Sequence, residues 1–353
     1  MTAPPTTTTE SDASTQDAHD LATAKDRWVV RFGSYNLRDF RKHNTTEERA
    51  RCDRVVEVIR ALDADVLAVQ EIHGVGRDAA ARNLIQLADD TGMRCMSPSG
   101  QPVLADGGCG LYVGMLWWPD VPVASVKVYD RPWFRSPLAK VVLDCGGRQH
   151  QLASHHATPF GRFSRADEAE EVVAALTRPS LPGLLGHDAN GISADRYSQP
   201  NARRGELYDP DPYADSPWFL DLIYQCGWDD GKHWADRTAG SVYSHGDLHD
   251  VAPVLDVPWQ ATAGHWPTCE YGRHGIRRRI DIIRATTAML PALVGFEVHR
   301  TELALSASDH LPVAVSYDPD RIAANPRAAG NQAAWAQHPR ERVCDWPFQS
   351  TNQ

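Results

Sequence analysis

Six polar groups in this chain stand at the ends of short apolar runs or inside one. Asn36 follows Trp28-Val29-Val30-Arg31-Phe32, Glu71 follows Val66-Leu67-Ala68-Val69-Gln70, and His155 follows Gln149 to Ser154. Asp188 with Asn190 comes after Leu184-Leu185, and Asp309 with His310 adjoins Leu311 to Tyr317. Asp281 lies within Ile280-Asp281-Ile282-Ile283. A carboxylate in such a run must find a partner or it is strongly destabilising. One such residue is an ordinary satisfied polar group; six on different strands point to one convergent site. The donors are Asn, Glu and Asp oxygens with His and no Cys cluster, a set that suits a hard cation such as Mg²⁺ or Mn²⁺. A hard divalent ion beside His and Asp suits hydrolysis of a phosphate ester. The ion neutralises non-bridging oxygens while a base activates water for in-line attack.

The elements that would position these groups are legible from periodicity. Residues 28–32 read as a strand running up to Asn36. Thr45 with Glu48 forms a capping box, after which Cys52, Val55, Val56, Ile59 and Leu62 make an apolar stripe at helical spacing. Val66 to Val69 is a buried strand, and Ala79 to Asp90 a second helix with Leu84, Ile85, Leu87 and Ala88 inward. Strands are expected at Gly110–Trp118, Ala139–Leu143 and Gln149–Ser154. Ser164 with Asp167 starts a helix carrying Val172, Val173 and Leu176, and Leu184-Leu185 is a short strand. Ser216-Pro217 reads as a helix start and Gly227 as its stop. Strands at Arg279–Arg284, Leu293–Val298 and Leu311–Tyr317 complete the set. This mixed order of strands and helices argues for an α+β fold with a partly antiparallel sheet.

Composition excludes several classes. With 36 Lys+Arg, 46 Asp+Glu and a formal charge of −10, the chain is neither a basic nucleic-acid coat nor a disordered polyampholyte. A polyanionic substrate would have to be held by a local basic patch. The seven Cys are scattered, with no C-x-x-C pair, so reduced thiols are expected rather than a zinc ribbon or disulfide scaffold. No apolar run is long enough for a transmembrane helix. The first residues lack the basic start and apolar stretch of a secretory signal, so a cytoplasmic location is expected. Residues 1–26 are expected to be a disordered tail, 27–317 a catalytic domain with a substrate-shaping insertion at 191–276, and 318–353 a C-terminal extension. No obligate protein partner is evident.

In order, Asn36, Gln70-Glu71, Gly186-His187-Asp188-Ala189-Asn190, Arg279-Ile280-Asp281 and Ser308-Asp309-His310-Leu311-Pro312 resemble the motifs of the endonuclease/exonuclease/phosphatase (DNase I-like) superfamily. The resemblance implies a four-layer α/β/β/α sandwich with two mixed, mostly antiparallel sheets. It implies that Glu71 is the main metal carboxylate, helped by Asn36 and Asp309. It makes His310 the base or the phosphate-side acid/base, with Asp281 orienting it. Asp188 and Asn190 would position water and the scissile phosphate, and His155 would hydrogen-bond a phosphate oxygen. The sequence departs from the family pattern in two places. His187 stands between Gly186 and Asp188, and His155-His156 is a doublet. Strand alternation lets only one of the two histidines enter the site, and His155 is the expected one because it follows the small Ser154.

The remaining signals concern substrate. Arg273, His274, Arg277, Arg278 and Arg279 form the main basic run, and Arg277 and Arg278 are candidates for gripping phosphate. Arg38, Arg41 and Lys42 follow Asn36 and would line the same groove. Trp133, Trp259 and Trp266 lie in Pro-rich loops, where rim packing or base stacking is expected. The leading expectation is a metal-dependent nuclease acting on nucleic acid. The alternatives are a phosphatase or phospholipid or small-molecule phosphodiesterase of the same superfamily, and, last, a non-catalytic binding protein on that fold. The stretches around Asp188 and Asp281 lack the Trp and Arg that inositol phosphatases carry there.

Overall fold

The computed structural model describes residues 29–41, 45–108, 110–130, 134–198, 203–213, 225–229, 232–266 and 275–324. In chain order the first half holds β1 (Val30–Phe40), α1 (Thr46–Leu62), β2 (Val66–His73), α2 (Arg77–Thr91), β3 (Leu104–Asp106), β4 (Leu111–Trp117), β5 (Val123–Tyr129), β6 (Leu138–Cys145) and β7 (Arg148–His156). The second half holds α3 (Arg162–Thr177), β8 (Gly183–Asp188), β9 (Cys226–Asp229), β10 (Lys232–Ala235), α4 (Thr238–His245), β11 (His249–Asp250), α5 (Val251–Val254), β12 (Asp281–Ala285), β13 (Leu293–Val298), α6 (Glu302–Ala307) and β14 (Val313–Tyr317).

Two six-stranded sheets result, ordered β13-β14-β1-β2-β4-β3 and β11-β12-β8-β7-β6-β5. Only β1/β2 in the first and β7/β8 in the second pair in parallel; the other neighbours are antiparallel. The fold is thus an α+β sandwich with two mixed, mostly antiparallel sheets. The sheets face each other: Gln70 Nε2 on β2 donates to Ser154 Oγ on β7 at 3.1 Å, and Ser154 Oγ donates to the Val69 carbonyl at 3.0 Å. Gly186 is required at this interface, because a Cβ there would sit 2.7 Å from the Ser34 Cβ of the opposing sheet.

Local signals explain the helices. Thr45 caps α1 by accepting from the Glu48 N–H, and Val55, Val56, Ile59 and Leu62 are buried as the stripe requires. Their burial against the first sheet is worth about 1.5–3 kcal/mol per large side chain. α2 ends at Gly92, whose φ of +81° suits a left-handed cap. α3 starts earlier than its Ser164/Asp167 signal, at Arg162 after Gly161, whose φ is +84°. Gly227, expected to stop a helix, lies instead in β9, which pairs with β10; Ser216 and Pro217 lie outside the described residues. The tail at 1–26 and most of 318–353 also lie outside them. Part of the 191–276 stretch belongs to the second sheet, since β11 extends its edge beside β12. Cys52, Cys95, Cys145 and Cys226 are free thiols. No described helix is long and apolar enough to cross a membrane.

Candidate active site

The parallel pairs β1/β2 and β7/β8 bring Asn36, Glu71, His156 and Asp188 to one end of the sandwich. Ser34, Asn36 and Gln70 share the inner face of the first sheet. Simple alternation would send Glu71 to the opposite face from Gln70. Instead the pairing is irregular between Asn36 and Phe40 on β1 and between Val69 and Ile72 on β2, and Glu71 takes a φ of +63°. This bulge turns the carboxylate into the site. Arg38 and Asp39 are also left-handed, both at φ +53°. Such strain persists only where surrounding contacts impose it, and it concentrates at functional sites.

Asn36 joins the two sheets. Its Nδ2 donates to Glu71 Oε1 at 3.0 Å and to Asp188 Oδ2 at 2.9 Å. The Asp39 N–H donates to Glu71 Oε2 at 2.9 Å, so both carboxylate oxygens are fixed. His156 Nε2 lies 3.4 Å from Asp188 Oδ2 and 3.9 Å from Glu71 Oε1. From β12 and the turn before β14 come Asp281 and His310. His310 Nδ1 donates to Asp281 at 2.9 Å, leaving Nε2 3.8 Å from Asp188 Oδ2. Among the described residues, two groups of side chains therefore have ligand atoms within 4.8 Å of one another: Glu71, His156, Asp188 and Asp188, Asp281, His310.

The turn carrying His310 is anchored from several sides. Ser308 Oγ donates to the Asn36 carbonyl at 2.8 Å and accepts from the His310 N–H. His265 Nε2 donates to the Ser308 carbonyl at 3.0 Å. Thr262 Oγ1 accepts from the Ile280 and Asp281 N–H groups. Asp309 sits beside His310, close enough for its charge to favour the imidazolium. Its side chain is in neither ligand group.

Electrostatics shifts both histidines of the cluster toward their charged form beside the surrounding carboxylates. Burial alone would raise Asp188, but His310 and His156 outweigh it and hold the carboxyl well below the ordinary carboxylate range. Burial alone would lower both histidines; Asp281 and Asp188 lift His310 far above the ordinary imidazole value, and Asp188 and Glu71 lift His156. Asp281 is raised, chiefly by burial, although His310 opposes this.

The structure corrects the choice between the paired histidines. His155 pairs in register with His187, and His156 with Asp188. His155 and His187 thus share the outer face, with ring centroids 5.8 Å apart, and His187 stacks edge-on against Tyr243 at 5.1 Å. His155 Nε2 lies 2.8 Å from Ser136 Oγ, outside the cluster. Ser154 faces inward, so its neighbour two residues on, His156, does too. Strand alternation separates the two histidines, but only the parallel register of β7 with β8 decides which of them faces Asp188.

Asn190 is adjacent but otherwise engaged. Its N–H donates to Asp188 Oδ1, while its side chain donates to the Ala157 carbonyl at 2.9 Å and accepts from Gln225 at 3.3 Å. Among the basic candidates, Arg279 is corrected outright. It is buried, with Nη2 2.6 Å from Asp209 and 2.5 Å from Asp250, and so holds the fold rather than a phosphate. Arg277 is exposed and Arg278 half-buried, and no contact joins either to the cluster among the described residues. Arg38 stacks over the Trp266 ring at 4.4 Å. Arg41 reaches Asp39 at 3.0 Å. Lys42, Trp133, Arg273 and His274 lie outside the described residues.

The donors fit a hard divalent cation: two carboxylates face one another across an amide, with imidazole nitrogens on the flank. No family model matches the sequence, nor does any curated protein. Solved structures do match. An endonuclease/exonuclease/phosphatase from Bacteroides vulgatus superposes over 82% of this chain and 98% of its own, with a TM-score of 0.53 at 14% identity. A mannosyl-6-phosphatase from Bacteroides thetaiotaomicron matches over 81% and 98%, with a TM-score of 0.51 at 14% identity. D. rerio TDP2 complexed with a single-strand DNA product matches over 82% and 98%, with a TM-score of 0.50 at 13% identity. At these identities the likeness is one of fold, and the chain has the DNase I-like fold of the endonuclease/exonuclease/phosphatase superfamily.

Proposed function

We propose that this protein is a divalent-metal-dependent phosphoesterase that hydrolyses phosphodiester bonds in nucleic acid. The observation that carries this reading is the amide of Asn36, which holds Glu71 of one sheet and Asp188 of the other in a single cluster beside the Asp281–His310 pair. Glu71 and Asp188, with Asn36 and Asp309 beside them, would hold Mg²⁺ or Mn²⁺. A bound cation supplies charge neutralisation at the non-bridging phosphate oxygens.

The protein groups then take distinct parts. Asp188 stays ionised at neutral pH and accepts a proton or orients the attacking water. His310 and His156, both shifted toward the protonated form beside Asp188, donate to phosphate oxygens and to the leaving group. Asp281 fixes the ring direction of His310 and leaves its Nε2–H to face Asp188 and the substrate. Asn190 positions the Asp188 carboxylate through its N–H. His156 takes the part first expected of His155. Likeness of fold to both a phosphatase and a DNA-bound protein supports the reaction class more strongly than the substrate.

The test is incubation with Mg²⁺ or Mn²⁺ and supercoiled plasmid, single-stranded DNA or RNA, with EDTA controls and the variants Glu71→Ala and His310→Ala. Metal-dependent cleavage by the wild type, lost in both variants, is the expected result. Hydrolysis of a simple phosphate ester with no cleavage of any polymer would replace the nuclease reading with a small-molecule phosphatase.

A further inference from the structure

Beside the cluster lies an exposed aromatic surface that the reaction itself does not use. Phe163 is 70% exposed, Phe160 63% and Trp228 53%. The Arg162 guanidinium lies between two of these rings, 4.8 Å from the Phe163 centroid and 5.2 Å from that of Trp228. Solvent-facing side chains of this size usually pack down on the protein or meet a partner.

Both arms of this surface are rooted in the candidate site. The first leaves β7 directly after His156. There the Ala157 N–H donates to the Asp188 carbonyl at 3.0 Å, and the Ala157 carbonyl accepts from Asn190. The second begins at Gln225, which donates to Asn190 Oδ1. Phe160 and Trp228 each lie three residues beyond those anchors, so chain geometry keeps them within about 11 Å of them.

The two arms are also tied to each other. Arg165 is buried, donates to the Pro159 carbonyl at 3.1 Å and faces Asp236, just beyond β10, at 3.7 Å. Glu168 accepts from the Thr158 N–H at 2.9 Å. Phe160 is therefore presented by a braced loop, Phe163 by the first turn of α3 and Trp228 by a braced hairpin.

We infer that Phe163, Arg162 and Trp228 form a stacking platform for unpaired bases of a single-stranded nucleic acid whose phosphate occupies the site. This deepens the proposed function and rests on it. A single strand alternates flat apolar bases with anionic phosphates, and the platform alternates rings with a cation. In a chain of net charge −10, a stacked Arg also supplies the local positive charge a polyanion needs. In a duplex the bases are already stacked on one another, so the platform favours frayed or single-stranded ends.

The experiment measures binding without turnover. Fluorescence anisotropy with labelled dT12 and with a 12-base-pair duplex is recorded in EDTA for wild type, Phe163→Ala, Trp228→Ala and the double variant. Val294→Ser, a change at an exposed residue of β13, serves as a control. The expected result is dT12 binding weakened about 5- to 150-fold per ring removed, with a much smaller change for the duplex. Circular dichroism melts confirm that the variants fold. Unchanged dT12 affinity in the double variant, while the wild type still cleaves DNA with metal, overturns the platform and leaves the nuclease reading intact. A wild type that neither binds dT12 nor cleaves any polymer overturns both. A double variant that loses binding to anionic phospholipid vesicles but not to dT12 also overturns the platform, by making the surface a lipid contact.

Discussion

His310 can point its Nε2 at Asp188 only because Asp281 holds its Nδ1–H from behind. With protonated His310 as the working form, activity falls as pH rises through its raised pKa. Asp281→Asn removes the largest charge holding that proton, so the alkaline limb of the pH–rate profile should move to lower pH and kcat should fall about 10²- to 10⁴-fold. An unshifted limb would contradict this assignment. The outer-face pair behaves oppositely. Burial lowers His155 from 6.5 to about 3 and takes His187 well below 6.5, so both are neutral in the fold. Their contribution to stability is full above about pH 6.5 and lost as pH falls toward 3, by up to about 1.4 kcal/mol per pH unit for each group. His310 and His156, whose values are raised, oppose this loss only near pH 6.5, where their unfolded forms titrate, and cease to contribute a slope at lower pH. The Tm should therefore drop between pH 6.5 and 4.5, and His187→Phe should flatten the drop; an equal slope in the variant would count against it. At this scale the sequence disclosed residue types well and side-chain direction poorly. The His155-His156 doublet shows why: the deciding fact is parallel register with β8, which no local pattern encodes.

Elements hold the site through carbonyls as much as through side chains. Arg51 on α1 is 3% exposed and donates to Leu37 O at 3.0 Å, Arg38 O at 2.7 Å and Ala307 O at 3.1 Å. It thereby stitches the left-handed end of β1 to the C-terminus of α6, just ahead of Ser308. Arg51→Met leaves three carbonyls without a donor in a buried place, and urea unfolding should show a loss of about 2–5 kcal/mol. Arg51→Lys should recover part of it. A loss below about 0.5 kcal/mol for the Met variant would show the clamp to be incidental. The N-cap at Thr45 and the Asp309–His310 turn were legible, because each depends on neighbours within a few residues; the strands expected to end at Asn36 and Glu71 instead run on to Phe40 and His73. The bulge that turns Glu71 inward was not legible, since it comes from pairing with β1 and β4.

At the scale of the molecule, sandwich topology and charge decide what the site meets. An α+β fold with a partly antiparallel sheet was readable from the order of strands and helices, whereas two facing sheets were implied only by the resemblance of the motifs. The placement of 191–276 was not: Asp209 and Asp250 meet Arg279 across long sequence separations, and part of the presumed insertion completes the sheet instead. A chain of charge −10 grips a polyanion only locally. Binding to single-stranded DNA should therefore weaken with salt, with a log–log slope of about −0.7 for each phosphate contacted. A salt-independent affinity would mean that phosphates are not what the protein binds. The most direct test of the metal-dependent site is Mn²⁺ binding without substrate, followed by calorimetry and electron paramagnetic resonance in wild type, Glu71→Gln and Asp188→Asn. The wild type should bind Mn²⁺, and each substitution should weaken binding at least about tenfold, the usual scale for losing a coordinating or supporting group. Wild-type protein that binds no divalent ion, or variants that bind it as tightly as the wild type, would contradict the metal-dependent site.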